Sequence, residues 1–150
     1  MNKNGYTIHE VEIHYARPIK VTLNNVKHME DASRIFRESI DLRKIDLKEF
    51  FWVMLLNHSN NVLGISEIGK GNISTVIVNI KEIFQLAIRC NACSVILCHN
   101  HPSGNLNPSQ TDIQLTKKIQ EAGKLLEIQI LDHIILTSEG HTSLMEKGHM

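Results

Sequence analysis

Two short apolar runs constrain the fold of this chain more than any other feature of the sequence. Residues 50–56 read FFWVMLL, and residues 93–98 read CSVILC. A strand with one solvated face alternates apolar and polar residues, whereas a strand buried on both faces is apolar at nearly every position. We therefore predict that both runs are central strands of a single sheet.

The segments around these runs predict further strands and helices. Residues 49–57 and 61–69 form a predicted hairpin, because the polar turn HSN, with an asparagine on each side, lies between them. Further extended segments are predicted over residues 11–23, 73–78 and 127–137, the last interrupted at Asp132 and His133. Apolar residues at helical spacing predict helices over residues 31–40, 80–89 and 109–124. The fold class is therefore α/β (α+β), with a mixed β-sheet flanked by helices.

The bulk composition limits the classes of protein to which the chain can belong. Its 150 residues favour one domain over 1–150, with an extended segment over 1–30 and a core over 31–148. The 16 basic residues balance the 16 acidic ones, which argues against strong nucleic-acid binding. No apolar run approaches the ~20 residues of a membrane helix, and the N-terminus lacks a secretory h-region. We therefore expect a cytoplasmic location and no membrane association.

The segment that follows the second apolar run, HNHPSGNLNPSQTD, is a candidate metal site. His99 and His101 lie two residues apart at a predicted strand end, so both imidazoles point to one face. Asp112, in the first turn of the next helix, can return to the same ion. Two imidazoles and a carboxylate leave one zinc position open for water, as in catalytic sites. Alternatively, Ser109 and Asp112 are a plain helix start, with a cap and an acidic first turn.

Other chemistry-bearing residues are open to two interpretations. Cys90 and Cys93 form a C-x-x-C pair that is redox-active, zinc-binding or structural, and the absence of a second such pair favours structural thiols. His133 is a partner that orients a metal ligand or a histidine packed in the sheet, with the latter slightly favoured. His141 and Ser143 are candidates for the border of a cleft.

The site motif resembles the JAMM signature of JAB/MPN metalloproteases. His99-x-His101-Pro, Ser109-x-x-Asp112 and the upstream Glu49 fall where that signature has them, and HNHPSG, PSQTD and LDHIIL are most similar to its RadC-type branch. The resemblance covers roughly residues 46–148. It implies a cytidine-deaminase-like, JAB/MPN-type α/β sandwich that binds Zn²⁺.

The resemblance also implies a role for each residue. His99, His101 and Asp112 would be the zinc ligands, Glu49 the general base acting on zinc-bound water, and Ser109 a donor to the oxyanion of a tetrahedral intermediate. The implied function is a zinc metallopeptidase or isopeptidase with a peptide or protein substrate. The alternatives are a DNA-repair-associated accessory protein, suggested only by the family's name, and a non-catalytic zinc-binding interaction domain.

Overall fold

A computed structural model of the chain describes residues 25–71 and 76–150. In this part of the chain, three α-helices and five strands follow one another, with a short 3-10 helix at Leu42–Lys44 after the first helix. The helices are α1 (Met29–Ser39), α2 (Ile80–Arg89) and α3 (Gln110–Leu125). The strands are β1 (Phe50–Leu56), β2 (Val62–Lys70), β3 (Ser94–Asn100), β4 (Gln129–Leu136) and β5 (His141–Ser143). None of the helices described has the length and apolar character needed to cross a membrane.

The five strands form one mixed sheet in the order β2-β1-β3-β4-β5. Helix α3 connects β3 to its parallel neighbour β4, while the other strand pairs are antiparallel. The two apolar runs are β1 and β3, which pair with each other in the middle of the sheet. The prediction of two central strands is therefore confirmed, as is the mixed-sheet α+β fold class.

The two faces of the sheet are covered by different helices. Trp52, Met54 and Cys98 pack with Phe36 of α1 and its neighbours. On the opposite face, alternate residues of β1 and β3 pack with Ile83 and Phe84 of α2 and Ile119 of α3; they are Phe51, Val53, Leu55, Val95 and Leu97. Every residue of β1 and β3 is buried, which explains why neither strand alternates with polar residues.

Several local predictions differ from the structure. Residues 76–78, within the predicted strand 73–78, form no strand; Val76 and Val78 instead pack as irregular chain against the α2 face, and residues 73–75 lie outside the described residues. The extended segment predicted over 11–23 also lies outside them, and the division at residue 30 stays a prediction. The apolar spacing that predicts helix 80–89 would place Ile88 on the inward face, but Ile88 is 52% exposed, because the buried face of α2 is centred on Ile83, Phe84 and Ala87.

The expected interruption at Asp132 and His133 is absent, because β4 runs through both residues. Its pairing with β3 changes register between Val95 and Ile96, opposite Leu131. Asp132 is buried but accepts hydrogen bonds from the Ser143 hydroxyl (2.6 Å) and the His133 backbone N–H (2.7 Å). These bonds allow a carboxylate to lie inside a strand. The short β5 was not predicted, since three residues carry too little pattern.

Candidate metal centre

The end of β3 and the start of α3 bring two imidazoles and one carboxylate together. The Nε2 atoms of His99 and His101 lie 2.9 Å apart. Asp112 places Oδ1 3.4 Å from the Nε2 of His99 and Oδ2 3.6 Å from the Nε2 of His101. His99 is 1% exposed, and the side chains of His101 and Asp112 are 15% and 14% exposed. The three residues form a candidate site in which one ligand atom of each lies within 4.8 Å of the others.

The loop between β3 and α3 determines how these groups converge. His99 has the same parity along β3 as Val95 and Leu97, which places its ring on the α2–α3 face of the sheet. Gly104 then reverses the chain with a φ of +79°, a conformation that favours glycine, and its backbone N–H donates to the carbonyl of His101. This turn brings the Asn105 carbonyl to 2.6 Å from Nδ1 of His101.

Ser109 and Asp112 form a reciprocal capping box at the start of α3. The Asp112 backbone N–H donates to the Ser109 hydroxyl (3.1 Å), and the Ser109 backbone N–H donates to Oδ2 of Asp112 (2.7 Å). The Ser109 hydroxyl also donates its own proton to Oδ2, at 2.7 Å. The plain-cap interpretation and the metal-ligand interpretation are therefore compatible, because the box orients the carboxylate whose oxygens approach both histidines.

The hydrogen-bond partners of His101 indicate which of its ring nitrogens carries a proton. A carbonyl oxygen only accepts, so Nδ1 of His101 donates to Asn105. The Nε2 atom of a neutral His101 is then unprotonated, and its lone pair is directed at His99 and Asp112. Electron-rich atoms at these separations repel one another unless a cation lies among them. A divalent ion with tetrahedral nitrogen and oxygen ligands, such as zinc, fits this donor set.

Electrostatics within the cluster also favour a cation. Burial would raise the pKa of Asp112, but the neighbouring imidazoles of His101 and His99 outweigh it and hold the pKa well below its usual range. Burial would lower the pKa of His101, but the neighbouring Asp112 carboxylate leads the effects that raise it instead. His99 is wholly enclosed, and burial lowers its pKa. The carboxylate is therefore ionised and attracts positive charge to the two Nε2 atoms.

Glu49 immediately precedes β1 and is only 6% exposed. Burial raises the pKa of this carboxyl group to about 7, the charge of Asp112 adds to the rise, and His101 opposes it. Glu49 is thus close enough to both groups for their charges to act on it. A carboxyl group with a pKa near 7 takes up and releases protons readily at neutral pH.

Asn100 is a buried residue at the site that the sequence analysis did not single out. Its Oδ1 accepts from the Phe50 backbone N–H (2.7 Å), and its Nδ2 donates to the carbonyls of Ile45 (2.6 Å) and Lys48 (2.8 Å). These partners lie on both sides of Glu49 in the chain. The sequence signal that could have identified Asn100 is its position as a polar residue at the end of an apolar strand. A polar side chain that is buried there must have hydrogen-bond partners.

The remaining candidates lie outside the cluster, with one exception. His141 lines a cavity beside α1, Ser143 bonds Asp132, and Cys90 and Cys93 are half-buried free thiols. His133 is the exception: it is wholly buried, and its Nε2 lies 2.7 Å from Nδ1 of His99. That contact favours the interpretation of His133 as a partner of a metal ligand.

Comparison with known proteins gives a consistent result. The model of the family described as "RadC-like JAB domain" matches residues 26–149. A Flavobacterium johnsoniae protein named "UPF0758 protein" is 48% identical over 100 residues, covering 67% of this chain and 44% of its own length. Proteins of the same name from Clostridium beijerinckii and Clostridium botulinum are 41% and 45% identical; each covers 88% of this chain, and 57% and 54% of their own lengths. The chain spans about half the length of the curated relatives it matches.

Proposed function

The chain belongs to the RadC-like JAB domain family, and from this premise we propose that it is a zinc-dependent hydrolase that cleaves an amide bond in a peptide or protein substrate. The bond is a peptide bond or a side-chain isopeptide bond, since both present the same carbonyl carbon and leaving amine.

One observation carries the proposal: the Nε2 atoms of His99 and His101 converge with the Asp112 carboxylate, and the buried Glu49 lies beside them. The three converging residues would supply the ligands for one zinc ion. Glu49 would not be needed as a fourth ligand, which would leave one position for water, as in catalytic sites. A structural zinc site, by contrast, is closed by four protein ligands and needs no neighbouring acid.

When bound, zinc supplies Lewis-acid chemistry: it polarises a carbonyl and lowers the pKa of a water molecule to about 7. Glu49 takes the proton from the attacking water and returns it to the nitrogen of the leaving amine. Its raised pKa suits both halves of this transfer. His99, His101 and Asp112 would hold the ion, and Asp112 is itself oriented by the capping box.

Ser109 is proposed to serve the same reaction, with a competing role. The Ser109 hydroxyl donates a hydrogen bond to Oδ2 of Asp112. To donate to the oxyanion of a tetrahedral intermediate, the hydroxyl must rotate away from that oxygen. The backbone N–H of Ser109 continues to donate its hydrogen bond to Oδ2 during the rotation and keeps the carboxylate in place.

Substitution of Glu49 tests the proposal. Glu49→Gln keeps the side-chain volume but removes the proton acceptor, so we expect kcat to fall by about 10²–10⁴ with zinc content unchanged. Glu67→Gln, on the exposed side of β2, is the matched control and should retain full activity. The measurement is hydrolysis of a fluorogenic peptide library and of lysine isopeptide-linked peptides, with zinc determined on the same samples.

The outcomes distinguish a zinc-dependent hydrolase from a non-catalytic zinc-binding domain. Hydrolysis that depends on zinc and on Glu49 supports the proposal. Undiminished turnover in Glu49→Gln removes Glu49 from the mechanism, and loss of zinc in that variant makes it a ligand. Full zinc occupancy without hydrolysis of either substrate class would instead favour a non-catalytic zinc-binding domain.

A further inference from the structure

We infer that His133 and Thr116 are positioning residues that hold His99 in the tautomer whose Nε2 atom carries the lone pair required of a metal ligand. The inference rests on the proposed metal site. Neither residue belongs to the ligand set, and neither reaches the convergence point itself. They act through a buried chain of hydrogen bonds that begins and ends at two of the ligands.

The chain starts at the backbone of Asp112. The Thr116 hydroxyl, one helical turn further along α3, donates to the Asp112 carbonyl at 2.6 Å. A carbonyl oxygen only accepts, so the single hydroxyl proton of Thr116 is committed to this bond. The Thr116 oxygen also lies 2.6 Å from Nδ1 of His133. It can therefore only accept from His133, and Nδ1 of His133 carries a proton.

The second half of the chain follows from the first. His133 is neutral, because its ring is wholly buried and, within residues 25–71 and 76–150, no carboxylate hydrogen-bonds to that ring. Because the proton of His133 is on Nδ1, its Nε2 is unprotonated. This Nε2 accepts a hydrogen bond from Nδ1 of His99, 2.7 Å away. A neutral His99 protonated at Nδ1 presents an unprotonated Nε2 to His101 and Asp112.

The surroundings of His99 Nδ1 and of the His133 ring are enclosed. His99, Thr116 and His133 are each 0–1% exposed. The Phe51 ring stacks on His99 with centroids 6.2 Å apart and meets His133 edge-on at 5.4 Å. If His133 is removed, the Nδ1 proton of His99 loses its acceptor in an apolar enclosure, and the other tautomer becomes competitive. That tautomer carries its proton on Nε2, where it blocks the metal.

Two pairs of variants test the chain through zinc affinity, measured by competition with a chromophoric chelator. Thr116→Val removes the hydroxyl at nearly constant shape, and Thr116→Ser keeps it. His133→Leu removes both ring nitrogens, and His133→Gln restores an acceptor near the position of Nε2. We expect Thr116→Val and His133→Leu to bind zinc about 10–100-fold more weakly, Thr116→Ser to match wild type, and His133→Gln to recover much of the loss. Folded Val and Leu variants with wild-type affinity would overturn the inference.

A spectroscopic measurement on the unaltered chain makes the test independent of the variants' folding. Long-range ¹H–¹⁵N correlation of labelled histidines reports which ring nitrogen is protonated. We expect the proton of His99 on Nδ1 both before and after zinc titration; a proton on Nε2 before titration contradicts the inference. If wild type binds no zinc, the proposed function fails, while the tautomer of His99 still decides the inference.

Discussion

The side-chain oxygen of Asn100 accepts a 2.7 Å hydrogen bond from the backbone N–H of Phe50. The amide nitrogen of the same side chain donates to the carbonyls of Ile45 and Lys48. Asn100 lies between His99 and His101, and its partners lie on both sides of Glu49. One side chain thus joins the strand end that carries the proposed ligands to the strand start that carries the proposed base.

Loss of this amide should destabilise the protein. Asn100→Ala leaves the Phe50 N–H and the Ile45 carbonyl without their partners in a buried region. Each unsatisfied buried group costs about 1–3 kcal/mol, so we expect a loss of about 2–5 kcal/mol in the free energy of unfolding. Urea denaturation measures it, with Asn107→Ala, at an exposed asparagine of the β3–α3 loop, as a comparison. A loss below about 0.5 kcal/mol would show that Asn100 does not hold this junction.

Zinc should bind in a ratio of about one ion per chain. His99→Ala and His101→Ala should abolish zinc binding, because each leaves only two protein ligands. His58→Ala, an exposed histidine in the β1–β2 turn, is the control and should bind normally. Elemental analysis of protein purified without added zinc gives the ratio. Full occupancy in both ligand variants would place the metal elsewhere.

Zinc should also raise the melting temperature of wild type, since it binds only the folded chain. Chelation should reverse the rise. His99→Ala should show the same melting temperature with and without zinc, and a zinc-dependent rise in that variant would argue against the site.

The pH dependence of stability should reveal the raised pKa of Glu49 in the folded protein. Its pKa in the folded protein is about 7, above its ordinary value of 4.5. The protonated form is therefore favoured by folding, and its contribution, complete below about pH 4.5, is lost as the pH rises through 7. In chelator-treated protein, the stability advantage of Glu49→Gln over wild type should be small near pH 5 and grow to roughly 1–2 kcal/mol at pH 8. This is less than the full shift implies, because His101 readjusts its own charge.

Thermal unfolding of both proteins from pH 5 to pH 8 measures this difference. Glu67→Gln should follow wild type across the range. A difference between wild type and Glu49→Gln that does not change with pH would mean that Glu49 titrates as an ordinary carboxyl group.

DNA binding should be weak and nonspecific. The chain has 16 basic and 16 acidic residues, so few phosphates can be neutralised and few counterions released. We expect the logarithm of the binding constant to fall against the logarithm of salt concentration with a slope below about 3 in magnitude. Fluorescence anisotropy with two unrelated duplexes measures it. A steep slope with a strong preference for one duplex would favour the DNA-associated alternative.

The sequence alone determined the elements with unambiguous patterns. Two strands built on almost wholly apolar runs had to be central, and the helices over 80–89 and 109–124 were recognisable from the spacing of their apolar residues, the second also from its cap. The proximity of His99 and His101 was also predictable, because the period of a strand is local. The short β5 was missed and residues 76–78 were wrongly predicted as strand, since segments of a few residues carry too little periodicity.

The tertiary structure decided which distant residues meet. His133 and Thr116 come from different elements, and only the parallel pairing of β3 with β4 and the packing of α3 on that face bring both to His99. Asn100 reaches the backbone on both sides of Glu49 for the same reason: antiparallel pairing places the start of β1 beside the end of β3. Local periodicity specifies which way a side chain points, whereas strand order and register, which depend on the whole core, specify what it finds there.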